Sequence, residues 1–166
     1  SKIIGNNTDW YGFSMTFKNN NINPLDRDVI ILGAGGSAKS ILYALKRIGV
    51  QKIFLLNRTI ENAKLLQDDC IIVHPLDEAK DIIKTDSIII NATSVGMRSM
   101  QSPINFDLIN KNQILFDIIY SPLETSLLQY GKRKGALIVN GLEMFIHQGL
   151  ASLDLWFGSS ISTQVN

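Results

Sequence analysis

The residues with the clearest capacity for chemistry are Val29-Ile30-Ile31-Leu32-Gly33-Ala34-Gly35-Gly36-Ser37-Ala38. An apolar run enters a glycine turn, and the turn opens onto a segment of helical periodicity, residues 36–48. The first N–H groups of a helix have no partner within it, and the helix dipole places partial positive charge there. A strand, glycine turn and helix in this order is the form that holds a dinucleotide pyrophosphate. Gly33 permits the tight turn. Gly35 has no Cβ, so the backbone can approach a phosphate closely. Ala38 is small enough for the helix to pack close to the strand. The plainer reading is a glycine-rich connection that binds nothing.

Other candidates fall at the ends of later apolar runs. The second run ends in Asn57-Arg58-Thr59. In NAD-binding sheets an acid about 20 residues after the glycines bonds the ribose hydroxyl. Here that acid is missing. Arg58 can stack on adenine or pair with a 2′-phosphate, and Thr59 offers a hydroxyl or a helix cap. The pocket therefore reads as NADP-type, against the alternative of a surface arginine at a strand end. The loop Asn91-Ala92-Thr93-Ser94-Val95-Gly96-Met97 offers Asn91 and Thr93 to a ribose or nicotinamide, although turn chemistry explains the same composition. Asp9, after Gly5-Asn6-Asn7-Thr8, can orient a substrate hydroxyl or assist proton transfer, or simply favour a helix start. Tyr120, in Asp117-Ile118-Ile119-Tyr120-Ser121-Pro122, faces the same edge or fills space. His74 and His147 are isolated and argue for no metal; each reads as solvent-facing or capped. Cys70, beside Ile71 and Ile72, reads as a buried structural thiol.

The elements that must position these residues alternate. Strand-like runs fall at 28–33, 52–57, 70–74, 87–91, 113–118 and 136–140. Helical segments fall at 36–48, 60–68, 76–84 and 124–134. The strand runs are continuously apolar rather than alternating, as in strands covered on both faces. The expected fold class is α/β: a doubly wound, Rossmann-like parallel sheet in three αβα layers. Residues 18–27 read as a polar linker. Helices at 7–17, with Trp10, Phe13 and Phe17, and at 141–158, with Met144, Phe145, Leu150, Leu153 and Trp156, flank the sheet domain. Each packs on the sheet or meets a further domain. The 166 residues suffice for one domain with a proper core, and 45% hydrophobic against 19% charged residues excludes disorder. Lys+Arg 16 against Asp+Glu 15 leaves +1, so there is no overall pull toward nucleic acid or an anionic membrane. Any bound anion must be held by local groups. No run is long enough to span a bilayer and the start does not read as a signal peptide, so a cytoplasmic setting is expected.

Taken in order, these segments resemble the C-terminal part of the shikimate dehydrogenase family. The resemblance rests on Gly5-Asn6-Asn7-Thr8-Asp9 with Gly12-Phe13, the glycine turn, Asn57-Arg58-Thr59, and Asn91-Ala92-Thr93-Ser94-Val95-Gly96-Met97. It continues through Tyr120-Ser121-Pro122 with Thr125, Leu127 and Leu128, and through Asn140-Gly141-Leu142-Glu143-Met144 with Gln148 and Trp156. It covers nearly the whole chain. It implies reversible NADP-dependent reduction of 3-dehydroshikimate to shikimate, in a cleft between a substrate domain and a nucleotide domain. By resemblance Asp9 is the carboxylate of a catalytic Lys–Asp pair, and Asp9, Tyr120 and Gln148 contact substrate. Gly33, Ala34, Gly35, Gly36, Ser37 and Ala38 hold pyrophosphate. Asn57, Arg58, Thr59 and Lys64 hold the adenosine phosphate end, and Thr93, Ser94, Ile118, Gly141 and Met144 line the nicotinamide side. The implied division is residues 1–20 as a helix leading to an absent N-terminal substrate domain, 21–140 as the nucleotide domain, and 141–166 as a C-terminal helix at the cleft.

Two departures matter. The family's N-terminal domain supplies a serine pair and the catalytic lysine, and Lys2 does not sit in that motif. The chain is therefore expected to bind cofactor but to turn over little alone, and to self-associate through an exposed cleft face. Asn62 stands where the family often has a second arginine, with Lys64 two residues on. That leaves an NAD-using quinate/shikimate dehydrogenase as one alternative. A non-catalytic nucleotide-binding or interaction module is another.

Overall fold

A computed structural model describes residues 3–158; Ser1, Lys2 and residues 159–166 lie outside the described part. Six short apolar runs form one parallel sheet: β1 (Val29–Leu32), β2 (Ile53–Asn57), β3 (Ile71–Pro75), β4 (Ile88–Asn91), β5 (Ile114–Asp117) and β6 (Leu137–Val139), in the order β3-β2-β1-β4-β5-β6. Every residue of β1, β4 and β5 is buried, which is why these runs do not alternate in polarity. The strand order reverses at β1, whose neighbours are β2 on one side and β4 on the other. In such sheets the crevice at that switch point, beyond the carboxyl ends of the strands, is where ligands bind. Register aligns Leu32 with Leu56 and Asn91, and Asn91 with Asp117, so these residues share one row at that edge.

Side chains alternate across the sheet. Val29 and Ile31 face one core with Phe13, Phe17, Ile41, Leu45 and Met144. These come from α1 (Asp9–Asn19), α2 (Gly36–Ile48) and α6 (Leu142–Phe157). Ile30 and Leu32 face the other core, with Leu115, Leu127 and Leu128. There α4 (Ala79–Ile82) and α5 (Ser126–Lys134) cover the sheet. The three αβα layers are as expected. Helix α1 is a full member of the core: Phe13 and Phe17 are buried and pack edge-on to Phe116 of β5. A Cβ on Gly12 would lie 2.4 Å from the Met144 carbonyl oxygen, a measure of how closely α1 and α6 approach.

Some elements differ from the sequence expectation. The helix expected at 60–68 is the single turn α3 (Ile60–Lys64). Beyond it the Asp68 carboxylate accepts from the N–H groups of Cys70 and Ile71, diverting the backbone into a turn. Cys70 is half-buried there rather than buried. The helix expected at 76–84 is a 3-10 turn (Leu76–Glu78) followed by the short α4. The connection from β3 to β4 must cross β2 and β1, about 14 Å at ordinary strand spacing, which leaves little chain to coil. The linker expected at 18–27 is partly packed: α1 runs to Asn19, and Ile22 and Pro24 are buried.

Candidate functional site

Gly33 ends β1 with φ +101°, and its N–H donates to the Leu56 carbonyl at 2.8 Å. A Cβ there would lie 2.7 Å from Thr93 Cγ2, so both torsion and space exclude a side chain. Ala34 is half-buried beside it, and Ala38 is fully buried against the sheet. Gly35 and Gly36 are the opposite case. Both are exposed, and a Cβ on either would meet nothing within 4 Å. Gly35 supplies no side-chain cap to α2, and the first turn of α2 carries no acidic residue. The leading amides of α2 thus open onto solvent at the positive end of its dipole. The turn residues just before them, Gly33, Ala34 and Gly35, form one wall of a cavity of about 950 Å³. Leu56, Asn57 and Arg58 flank it on the β2 side, and Thr93, Ser94 and the 100–106 loop on the other.

Asn57 Nδ2 donates to the Thr59 carbonyl at 2.7 Å and turns the chain out of β2. Arg58 is exposed at the cavity rim. Thr59 is exposed and makes no side-chain cap on α3, so the capping role considered for it is not realised. Lys64, exposed at the end of α3, is not among the residues lining this cavity.

A second cavity, about 390 Å³, adjoins the first: Ala92, Thr93 and Ser94 wall both. Asp9, Tyr120 and Gln148, far apart in sequence, meet around it, together with Ser37, Ile118, Gly141 and Met144. Tyr120 stacks on Phe145 with ring centres 4.5 Å apart. Gln148 Nε2 donates to the Phe145 carbonyl at 3.0 Å. Gly141 is forced by proximity: a Cβ would sit 1.9 Å from the Ile118 carbonyl oxygen.

Asn91 does not face a ligand. It is fully buried, and its amide is spent on the protein. Oδ1 accepts from Thr93 N and Thr93 Oγ1 at 3.0 and 2.7 Å; Nδ2 donates to the Val95 carbonyl and to both Asp117 oxygens, each at 3.1 Å. Asp117 also accepts from Thr125 Oγ1 at 2.7 Å and Ile119 N at 3.1 Å. Burial pushes its carboxyl above the ordinary value, while the Thr125, Asn91 and Ile119 hydrogen bonds pull the other way. This network ties the 91–97 loop to the start of α5, and so holds two walls of the clefts. The Thr93 hydroxyl is likewise engaged, donating to Asn91 and accepting from Val95 N at 3.1 Å.

The sequence reading missed Asp117 as the buried anchor behind the walls, and Met97, Phe145 and the 100–106 loop as parts of them. Only Asp117, an acid inside an apolar run, carried a signal. His74 and His147 each pair with a glutamate, Glu78 at 2.9 Å and Glu143 at 3.5 Å. Among the described residues no cluster of three metal-ligating side chains occurs, and no helix is long and apolar enough to cross a membrane.

The strand order, the open glycine turn and the crevice at the switch point define a Rossmann-type α/β domain. The family model for shikimate/quinate 5-dehydrogenase matches residues 17–120, and that for the shikimate 5′-dehydrogenase C-terminal domain matches residues 141–165. The chain belongs to the shikimate/quinate dehydrogenase family. It is 38% identical over 165 residues to the shikimate dehydrogenase (NADP(+)) of Bacillus cereus (strain AH187), covering 95% of this chain and 60% of that protein. Among solved structures, the quinate dehydrogenase of Corynebacterium glutamicum in complex with NAD superposes with TM-score 0.86 at 28% identity, over 93% of this chain and 58% of that one. The shikimate 5-dehydrogenase of Thermus thermophilus in complex with NADP(H) and shikimate gives 0.79 at 32%, over 92% and 57%. The chain thus spans about 60% of the length of the curated relative.

Proposed function

We propose that this chain supplies the nucleotide-binding part, and one side of the substrate cleft, of an NADP-dependent shikimate dehydrogenase. That oxidoreductase converts 3-dehydroshikimate and NADPH to shikimate and NADP⁺, reversibly. The observation that carries the reading is the meeting of Asp9, Tyr120 and Gln148 around a cavity that shares Thr93 and Ser94 with the cavity of the glycine turn. In this reading the amides following Gly33 and Ala34, at Gly35, Gly36, Ser37 and Ala38, cradle the pyrophosphate. Asn57, Arg58 and Thr59 receive the adenosine phosphate end. Ile118, Gly141 and Met144, opposite Thr93 and Ser94, flank the nicotinamide, which when bound supplies or takes the hydride. Tyr120 and Gln148 orient the substrate ring, and the Asp9 carboxylate bonds the hydroxyl at the reacting carbon. NADP is favoured over NAD because an exposed arginine, not an acid, follows β2.

Among the described residues no lysine lines the cavity that holds Asp9, and Lys2 lies outside them. A carboxylate without a proton-carrying partner forfeits an acid–base contribution of about 10²–10⁴-fold. The isolated 166-residue chain should therefore bind NADP⁺ yet oxidise shikimate far below the ~1–10³ s⁻¹ of ordinary enzymes. Calorimetric titration with NADP⁺ and NAD⁺, beside a steady-state assay, tests this. Failure of both nucleotides to bind at millimolar concentration overturns it. The domain division at 1–20, 21–140 and 141–166 belongs to the same reading. So does self-association: Phe145, Ile146, Trp156 and Phe157 leave an apolar face of α6 exposed beside the cleft, suited to a second copy of the chain. Light scattering that stays monomeric over a wide concentration range would remove that part.

A further inference from the structure

Past Arg58 the nucleotide cavity continues into a hollow of about 870 Å³. It lies between the end of β3 and the loop at 102–105, and shares Arg58, Leu76 and that loop with the first cavity. Register places Asn57 opposite Pro75, so Arg58 leaves β2 where the chain leaves β3 toward α4. Lys80 of α4 also lines it. Among the described residues Arg58 and Lys80 are the two cations lining this hollow, and Asp77 is its one carboxylate. Among the described residues neither cation has a hydrogen-bond or ion-pair partner, whereas Lys46, Lys84 and Lys132 each rest on a carboxylate. Lys64 lines neither cavity.

We propose that Lys80, and not Lys64, is the second cation of the adenosine 2′-phosphate site, and that the Arg58–Lys80 pair sets the preference for a 2′-phosphorylated dinucleotide. The proposal rests on the nucleotide reading above. A phosphomonoester carries about −1.5 to −2 charge at neutral pH and needs more than one guanidinium to balance it. A fork-shaped arginine and a flexible ammonium that line one hollow supply donors of two kinds for its oxygens. Asp77 limits the gain and keeps the unliganded hollow from being strongly cationic. A nucleotide lacking the 2′-phosphate leaves both cations in water at little cost, so selectivity here comes from attraction and not from exclusion.

The test is calorimetric titration of the 166-residue chain with 2′,5′-ADP and 5′-AMP, which differ only in that phosphate, and with NADP⁺ and NAD⁺. Lys80→Gln is expected to weaken 2′,5′-ADP and NADP⁺ about tenfold, as for loss of one charge-assisted hydrogen bond, and to leave 5′-AMP and NAD⁺ within about twofold. Lys80→Arg should keep most of the affinity, and the salt dependence for NADP⁺ should flatten in Lys80→Gln. Unchanged NADP⁺ binding in Lys80→Gln, equal losses for phosphorylated and unphosphorylated ligands, or a loss carried by Lys64→Gln instead would each overturn the inference while leaving the nucleotide reading intact. A wild-type chain that binds none of the four ligands overturns both.

Discussion

Two ends of one sheet edge are built in opposite ways. At β1 and β2 the row ends in Leu32 and Leu56, and the site above them consists of main-chain amides at Gly35 and Gly36 and an exposed arginine. At β4 and β5 the same row ends in Asn91 and Asp117, fully buried and bonded to each other, to Thr93, Val95, Ile119 and Thr125. The first end can hold an anion with little packing, because helix amides and a guanidinium carry their own charge. The second cannot place a ring by charge. It holds its walls rigid by spending polar side chains on one another.

The largest effect that could break this contrast is expected at the hub. Asp117→Ala leaves the buried donors of Asn91, Thr125 and Ile119 without an acceptor and should cost about 3 kcal/mol, read as a lower urea midpoint. Asp117→Asn, which keeps one carbonyl oxygen, should cost less. A loss below about 0.5 kcal/mol for Asp117→Ala would mean the network is not structural.

A pair of glycine substitutions sharpens the other end. Gly33→Ala should destabilise the fold by about 2 kcal/mol, through its left-handed torsion and the contact with Thr93. Gly35→Ala meets empty space, so stability should stay within about 0.5 kcal/mol. The new methyl stands where the pyrophosphate would lie, and NADP⁺ affinity should fall at least about tenfold, read by titration. The contrast fails if Gly35→Ala melts early and still binds NADP⁺.

Stability against pH probes the Asp117 hub more gently. Burial raises the Asp117 carboxyl above its ordinary 3.8, so the folded chain keeps that proton longer than the unfolded chain. Its contribution is fully present below the unfolded value and is lost as pH climbs through the folded one. In urea titrations across that range the wild-type chain should lose stability relative to Asp117→Asn as pH rises. Asp68 runs the other way: its bond from Lys46 holds it below 3.8, so its contribution is lost as pH falls through the lowered value. That pair is exposed, and Lys46→Ala is the smallest change expected here, erased by salt.

Local patterns in the chain were enough to read the six strands, the glycine turn, α2, and the helices at both ends. Each is a matter of which residues stand next to one another. α3 was overestimated because periodicity does not show that the Asp68 carboxylate turns the backbone, and α4 because it does not reveal how far a connection must travel. The meeting of Asp9, Tyr120 and Gln148 was anticipated only through family resemblance; no spacing rule joins them.

The amino-acid sequence by itself determined the strand–turn–helix that exposes amides to an anion, since a positive φ at Gly33 and a Cβ-free Gly35 are properties of single residues. Only the tertiary structure decided which lysine shares a hollow with Arg58, and that Asn91 faces Asp117 instead of a ligand. Those outcomes depend on strand register and on the path of the β3–β4 crossover, which bring distant residues to one edge and set whether a polar side chain ends in water or against another.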